Sequence, residues 1–301
     1  LKGTILTQCI LVGADLCNAN LTGAYLKRAN LKKADLRNTN LNEALLKQSN
    51  LSDVDARGAQ FYGANINDAI IQKANLSEAN MESVLLTGSN LDYSNLCSVN
   101  LRKADLQFIS MQMADLSSAE LRKSDMEEAD LKDTEFSDAN LKGTKLWRAN
   151  LQGSNLRGAN LQDSMLEGAD LRDVKCDKYT NFSNANFSTS SFRGSGIRYA
   201  IIDEVDINER YGNLGEAREV YLALKNYFRE EGIYSKANHY YYREMEMERR
   251  CLRPKKVNVS TMRIEDAYLY MYSHDDLKIN DSYLRWILTK DFRKWLYLTI
   301  Y

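Results

Sequence analysis

From Leu1 to Leu171 an apolar residue stands at every fifth position. Leucine fills most of these places, as at Leu6, Leu11, Leu16 and Leu21, with Phe61, Ile66, Ile71, Met81, Met111, Met126 and Phe136 among the rest. Two residues before each comes a small residue, usually alanine (Ala14, Ala19, Ala24, Ala29), and between the two lies most often Asn or Asp. A five-residue period fits neither regular element. On an α-helix five residues advance about 500°, so the leucines would scatter around the axis. In a continuous strand an odd spacing sends them to alternate faces. The pattern therefore predicts short extended pieces, each pointing the small residue and the leucine inward, separated by corners that redirect the chain. Such coils stack about 4.8 Å apart and bond to one another through the backbone. Ten of the fifteen glycines fall two residues after the leucine position, as at Gly13, Gly23 and Gly143, where a tight corner accepts positive φ.

On these residues the chain resembles the pentapeptide-repeat family over residues 1 to about 200. The resemblance implies a mainly β solenoid, a right-handed quadrilateral β-helix with four repeats, or 20 residues, per coil. One independent sign of four sides is in the sequence. Seven apolar residues take the Asn/Asp place, and five of them, Ile5, Tyr25, Leu45, Leu85 and Met165, are separated by multiples of 20; the others are Ile10 and Ile70. At Val54-Asp55-Ala56 the large and small inward residues are exchanged, which keeps the layer volume. After Leu171 the phase slips by one across Cys176 to Asn181, continuing at Phe182, Phe187 and Phe192, so a bulged corner is expected there.

Tyrosine marks a boundary, since thirteen of eighteen follow residue 200. The spacing predicts a helical hairpin within 208–252: one helix over 214–231 with Leu214, Ala217, Val220, Tyr221, Leu224 and Phe228 on its inner face, a stop at Gly232, and a second over 234–251 with Ala237, Tyr241 and Met245 inward. The simplest role for it is a cap on the last coil of the repeat domain, residues 1–202. Residues 253–301 read as a linker and an amphipathic or juxtamembrane helical tail, apolar and aromatic from Tyr283 to Tyr301 with interspersed Arg285, Lys290, Arg293 and Lys294. The element Tyr241 to Arg250 ahead of such a tail is similar to pentapeptide-repeat proteins that continue into membrane helices, some channel-like, which implies a cytoplasmic module attached to the inner face of a membrane. Channel helices and a selectivity loop are not in this sequence.

Charge narrows the partners. With 40 Lys and Arg against 41 Asp and Glu the formal net charge is −1, and residues 1–200 hold 23 against 24. Bulk attraction to nucleic acid is not expected. The same balance disfavours the alternative implied by other family members, which imitate DNA and protect topoisomerases behind a strongly acidic face. The five cysteines form no metal-knuckle or disulfide pattern, and the two histidines, His239 and His274, have no nucleophile or ligand cluster around them. The sequence therefore predicts a non-enzymatic interaction scaffold with no cofactor, metal or catalytic residue. Its candidate protein-binding face, for a partner or a second copy, comprises Ile5, Tyr25, Leu45, Leu85, Phe108, Trp147 and Met165. Its candidate contacts to anionic lipid are Arg249, Arg250, Arg253, Lys255 and Lys256.

Overall fold

The computed structural model describes residues 1–202, 208 and 212–251. They fall into two units, Leu1–Asp206 and Ile207–Tyr301.

In the first unit, parallel bridges join residues 20 apart, from Ile5 with Tyr25 to Asn155 with Lys175, so one coil is four repeats with four sides and four corners. Numbering each repeat from its leucine, positions 1 and 4 point inward. Leu21 to Leu171 in this series and their small partners are buried, including both Val54 and Ala56 of the exchanged pair. In the first coil Leu6, Leu11 and Leu16 are only half-buried.

The backbone donors of a repeat can be followed one by one. Position 1 donates to the next coil (Leu6 N–H to the Tyr25 carbonyl, 2.7 Å), and so does position 3 (Gln8 to Lys27, 2.9 Å). Position 5 donates to the preceding coil (Tyr25 to Thr4, 2.9 Å), and position 4 usually closes the corner onto its own leucine (Ala14 to Leu11, 3.1 Å). The remaining donor, the N–H of position 2, is taken by the side chain of the Asn or Asp two residues before it, as in Ser52 N–H to Asn50 Oδ1 (2.9 Å), Asp92 N–H to Asn90 Oδ1 (2.9 Å) and Ser117 N–H to Asp115 Oδ1 (2.9 Å). The Asn/Asp consensus is thus an Asx turn that satisfies the one donor the coil-to-coil ladder leaves. Where position 5 is Gln60, Leu85 or Ser110, the acceptor comes from one coil below: Asn42 serves Tyr62, Asn67 serves Thr87 and Asp92 serves Gln112.

Position 3 has positive φ in every repeat from Gly3 to Asp173, whatever its residue. Glycine fills a minority of these corners. A non-glycine residue there costs about 1 kcal/mol or more, which the inter-coil bonds offset. The phase slip is a bulged corner, as expected: Asn160 bridges Asn181 across 21 residues. Asp177 organises it, its Oδ1 accepting from the N–H of Gly158 (3.1 Å), Tyr179 (2.9 Å) and Thr180 (3.0 Å). Phe182, Phe187 and Phe192 then pack in a row, with ring centroids 5.3 and 5.4 Å apart.

In the second unit, α1 (Leu214–Glu230) and α2 (Tyr234–Cys251) pack against each other. Gly232 (φ 72°) ends α1 in a Schellman turn, with Ile233 N–H on the Phe228 carbonyl and Gly232 N–H on that of Arg229. The inner face of α2 is Ala237, Tyr240, Glu244 and Met247. This corrects the expectation of Tyr241 and Met245, since Tyr241 is exposed and Met245 half-exposed. Two interactions select that face. Tyr240 stacks between Tyr221 and Phe228 (centroids 6.2 and 5.5 Å), and buried Glu244 meets Lys225 at 2.6 Å. A glutamate with a cation opposite it can turn inward, which spacing of apolar residues alone does not reveal.

Candidate interaction surface

The side of the solenoid holding the apolar exceptions is a single bridged ladder: Ile5, Tyr25, Leu45, Asn65, Leu85, Asp105, Asp125, Lys145, Met165, Asn186. All five apolar members predicted to share a side do so, and each is exposed. Ile10 and Ile70 lie on the adjacent side. Phe108 and Trp147 are on the corner between these two sides rather than on the ladder, because they occupy turn positions 3 and 2 of their repeats. Lys145 Nζ lies over the Trp147 ring, 5.9 Å from its centroid.

Position 5 is where the fold asks for an acceptor. Tyr25, Leu45 and Met165 cannot provide one to Lys27, Lys47 and Glu167, so these residues forgo a turn hydrogen bond worth about 1 kcal/mol. Ile70 on the neighbouring side is in the same position, between Asn50 and Asn90. Replacing Ile70 with Asn is expected to raise stability by about 0.5–1 kcal/mol through a new bond from Gln72 N–H, measured by urea denaturation.

Two residues outside the sequence-derived set belong in this description. Tyr93 and Met113 stack on the next corner and, like Phe108, hold φ near +60° (62°, 55° and 56°) while remaining more than half exposed. A bulky apolar side chain at position 3 pays twice, in backbone conformation and in exposed surface. Of the two, only the apolar character was legible in the sequence, since glycine or a polar residue occupies most such positions.

Charge is distributed by coil rather than by side. The row Asp15, Asp35, Asp55 is the most acidic stretch of any ladder near the start, yet Arg37 and Arg57 fold back onto Asp35 and Asp55 at 2.5 and 2.7 Å. The Arg37 hydrogen bonds hold the Asp35 carboxyl down to about 2. No continuous acidic side of the kind a DNA imitator needs is present among the described residues. Burial pushes the Cys176 thiol up to about 12, and all five cysteines are free.

Of the candidate lipid contacts, Arg249 is engaged by Glu246 (2.6 Å), and Arg250 lies 3.9 Å from the Met247 sulfur. Arg253, Lys255, Lys256 and the amphipathic tail lie outside the described residues. No described helix is long and apolar enough to cross a membrane, and no described group of His, Cys, Asp and Glu could hold a metal ion.

A four-sided coil built from five-residue units, most of them closing on an Asx turn, defines a class of repeat protein that presents flat, addressable sides. The chain belongs to the pentapeptide-repeat family: eight copies of the pentapeptide-repeats model match between residues 1 and 173. Among solved structures it is similar to HetL, a pentapeptide repeat protein involved in heterocyst differentiation regulation from the cyanobacterium Nostoc sp. strain PCC 7120, with 29% identity over 66% of this chain and 90% of HetL and a TM-score of 0.56. Likeness extends to full-length QnrB1, a plasmid-mediated fluoroquinolone resistance protein (17% identity, 71% of this chain, 96% of that one, TM-score 0.42). It also extends to Rfr23 from the cyanobacterium Cyanothece 51142 (27% identity, 40% and 88% covered, TM-score 0.20). No curated protein sequence matches the chain.

Proposed function

We propose that this protein is a non-enzymatic scaffold that binds a protein along the ladder of Ile5, Tyr25, Leu45, Leu85 and Met165 and its Phe108–Trp147 corner. The observation that carries the reading is the exchange made at position 5. Three of these residues give up the acceptor that the fold's own turn calls for, and they expose apolar surface in return. Selection for stability alone would place Asn or Asp there, so another demand acts on this side. A regulatory role in the broad sense, like that of HetL, suits such a surface, since regulation by a rigid solenoid is exercised through what it binds.

The test uses the full-length chain with Tyr25→Asn and Leu45→Asn together, and Ile70→Asn as a control on the adjacent side. The double variant is expected to lose a captured partner at least tenfold while keeping its circular dichroism. The control is expected to keep both. A partner retained equally by all three chains would overturn the reading.

A further inference from the structure

The charges bordering the apolar ladder separate along the solenoid axis. On the corner between the two sides, the second coil shows Lys27 and Arg28, both exposed, and the third shows Lys47. On the same corner and ladder, the sixth and seventh coils show Asp105, Asp125, Glu127 and Glu128. The coil rise of about 4.8 Å puts the basic and acidic ends about 24 Å apart.

Resting on the ladder as a binding face, we infer that its occupant is a second copy of this chain, packed antiparallel about a two-fold axis between the coils of Asn65 and Leu85. Such an axis lays each coil against one fixed coil of the second copy, and the match can be checked step by step. Lys27 and Arg28 face Glu127 and Glu128 of the second copy, with Asp125 alongside. Lys47 faces the coil of Asp105, and Leu45 comes beside Phe108. Ile5 meets the coil of Trp147, and at the centre Asn65 meets Leu85. No step opposes two like charges. A parallel arrangement in the same register would place Lys27 and Arg28 on themselves and Glu127 and Glu128 on themselves, which costs several kcal/mol per pair of like charges.

The internal partners of these groups are weak competitors. Arg148 reaches Glu128 at 3.3 Å with side chains 74% and 41% exposed, Lys145 reaches Asp125 at 2.7 Å, Arg28 Nε donates to Gln48 at 2.9 Å, and Lys47 meets Asp68 at 3.2 Å. Three of them sit at the surface, where such pairs contribute little and exchange readily, whereas the Asp125 side chain is only 18% exposed and stays with Lys145. Bridges from every coil to the next keep a common spacing between the steps over eight coils, roughly 38 Å.

Sedimentation over a concentration series tests this with two charge-reversed full-length variants, Lys27→Glu/Arg28→Glu and Glu127→Lys/Glu128→Lys. The wild type is expected to dimerise. Each variant alone is expected to weaken its dimer at least about 100-fold, and an equimolar mixture of the two to restore it, because reversal on both copies regenerates opposite charges at both ends. Unchanged melting curves show that the variants fold. A monomeric wild type, variants that dimerise as the wild type does, or a mixture that fails to associate would each overturn the antiparallel pair. The first result alongside partner loss by Tyr25→Asn/Leu45→Asn would leave the binding face standing and remove only the second copy as its occupant.

Discussion

Leu96→Asp is expected to break the solenoid in two. Leu96 is fully buried, stacked in the inner row between Leu76 and Leu116. Removing the leucine side chain costs about 3–5 kcal/mol. The carboxylate put in its place has no cation within the coil and adds several kcal/mol more. That sum reaches the about 5–15 kcal/mol available to a typical domain. Because each coil holds only its neighbours, the damage should centre on the coils around residue 96 and appear as a new protease-sensitive point there and a lost cooperative melt. Arg102→Ser, six residues on, removes a surface pair with Glu82 (2.8 Å) and should cost less than about 1 kcal/mol. Equal losses from the two substitutions would mean that positions 1 and 2 of the repeat have been placed on the wrong sides of the wall.

The second large effect is at Gly196. Its φ of −82° suits any residue, so conformation is not what requires glycine there. A Cβ would stand 2.7 Å from the Cys176 nitrogen and 3.3 Å from the Val174 carbonyl oxygen, both backbone atoms of the preceding coil that cannot swing away. Gly196 N–H also donates to that carbonyl at 2.7 Å, which draws the two coils together. Gly196→Ala should therefore cost about 2–3 kcal/mol. Gly13 is the opposite case, with φ +66° and nothing within 4 Å of an added Cβ. Gly13→Ala should cost only the backbone term of about 1 kcal/mol. Urea denaturation of both variants separates the two reasons for glycine; a smaller loss at Gly196 than at Gly13 would rule out the close approach.

The contrast between these glycines shows where the sequence was readable. A period of five excludes both regular elements by geometry, so the coil, its inward rows and even the exchanged Val54 and Ala56 follow from the letters alone. The spacing of Ile5, Tyr25, Leu45, Leu85 and Met165 likewise places them on one side. The reason for Asn and Asp at position 5 does not follow, because it depends on which backbone donor the neighbouring coils leave over. That remainder is visible only once positions 1, 3, 4 and 5 have been paired. The strain at Tyr93, Phe108 and Met113 was hidden for the same reason, since positive φ belongs to position 3 and not to glycine. In the hairpin, apolar spacing pointed to Tyr241 and Met245, whereas the Lys225–Glu244 pair lets a charged residue occupy the inner face.

The binding face and the turn chemistry meet in one experiment. At positions 25 and 45 asparagine restores the acceptor for Lys27 and Lys47 while deleting the apolar surface. Tyr25→Asn/Leu45→Asn should therefore hold its urea midpoint at or above the wild-type value and lose association at least tenfold, whether with a second copy in sedimentation or with a captured protein. Association undiminished in a chain that denatures like the wild type would contradict the claim that this ladder is kept apolar for binding.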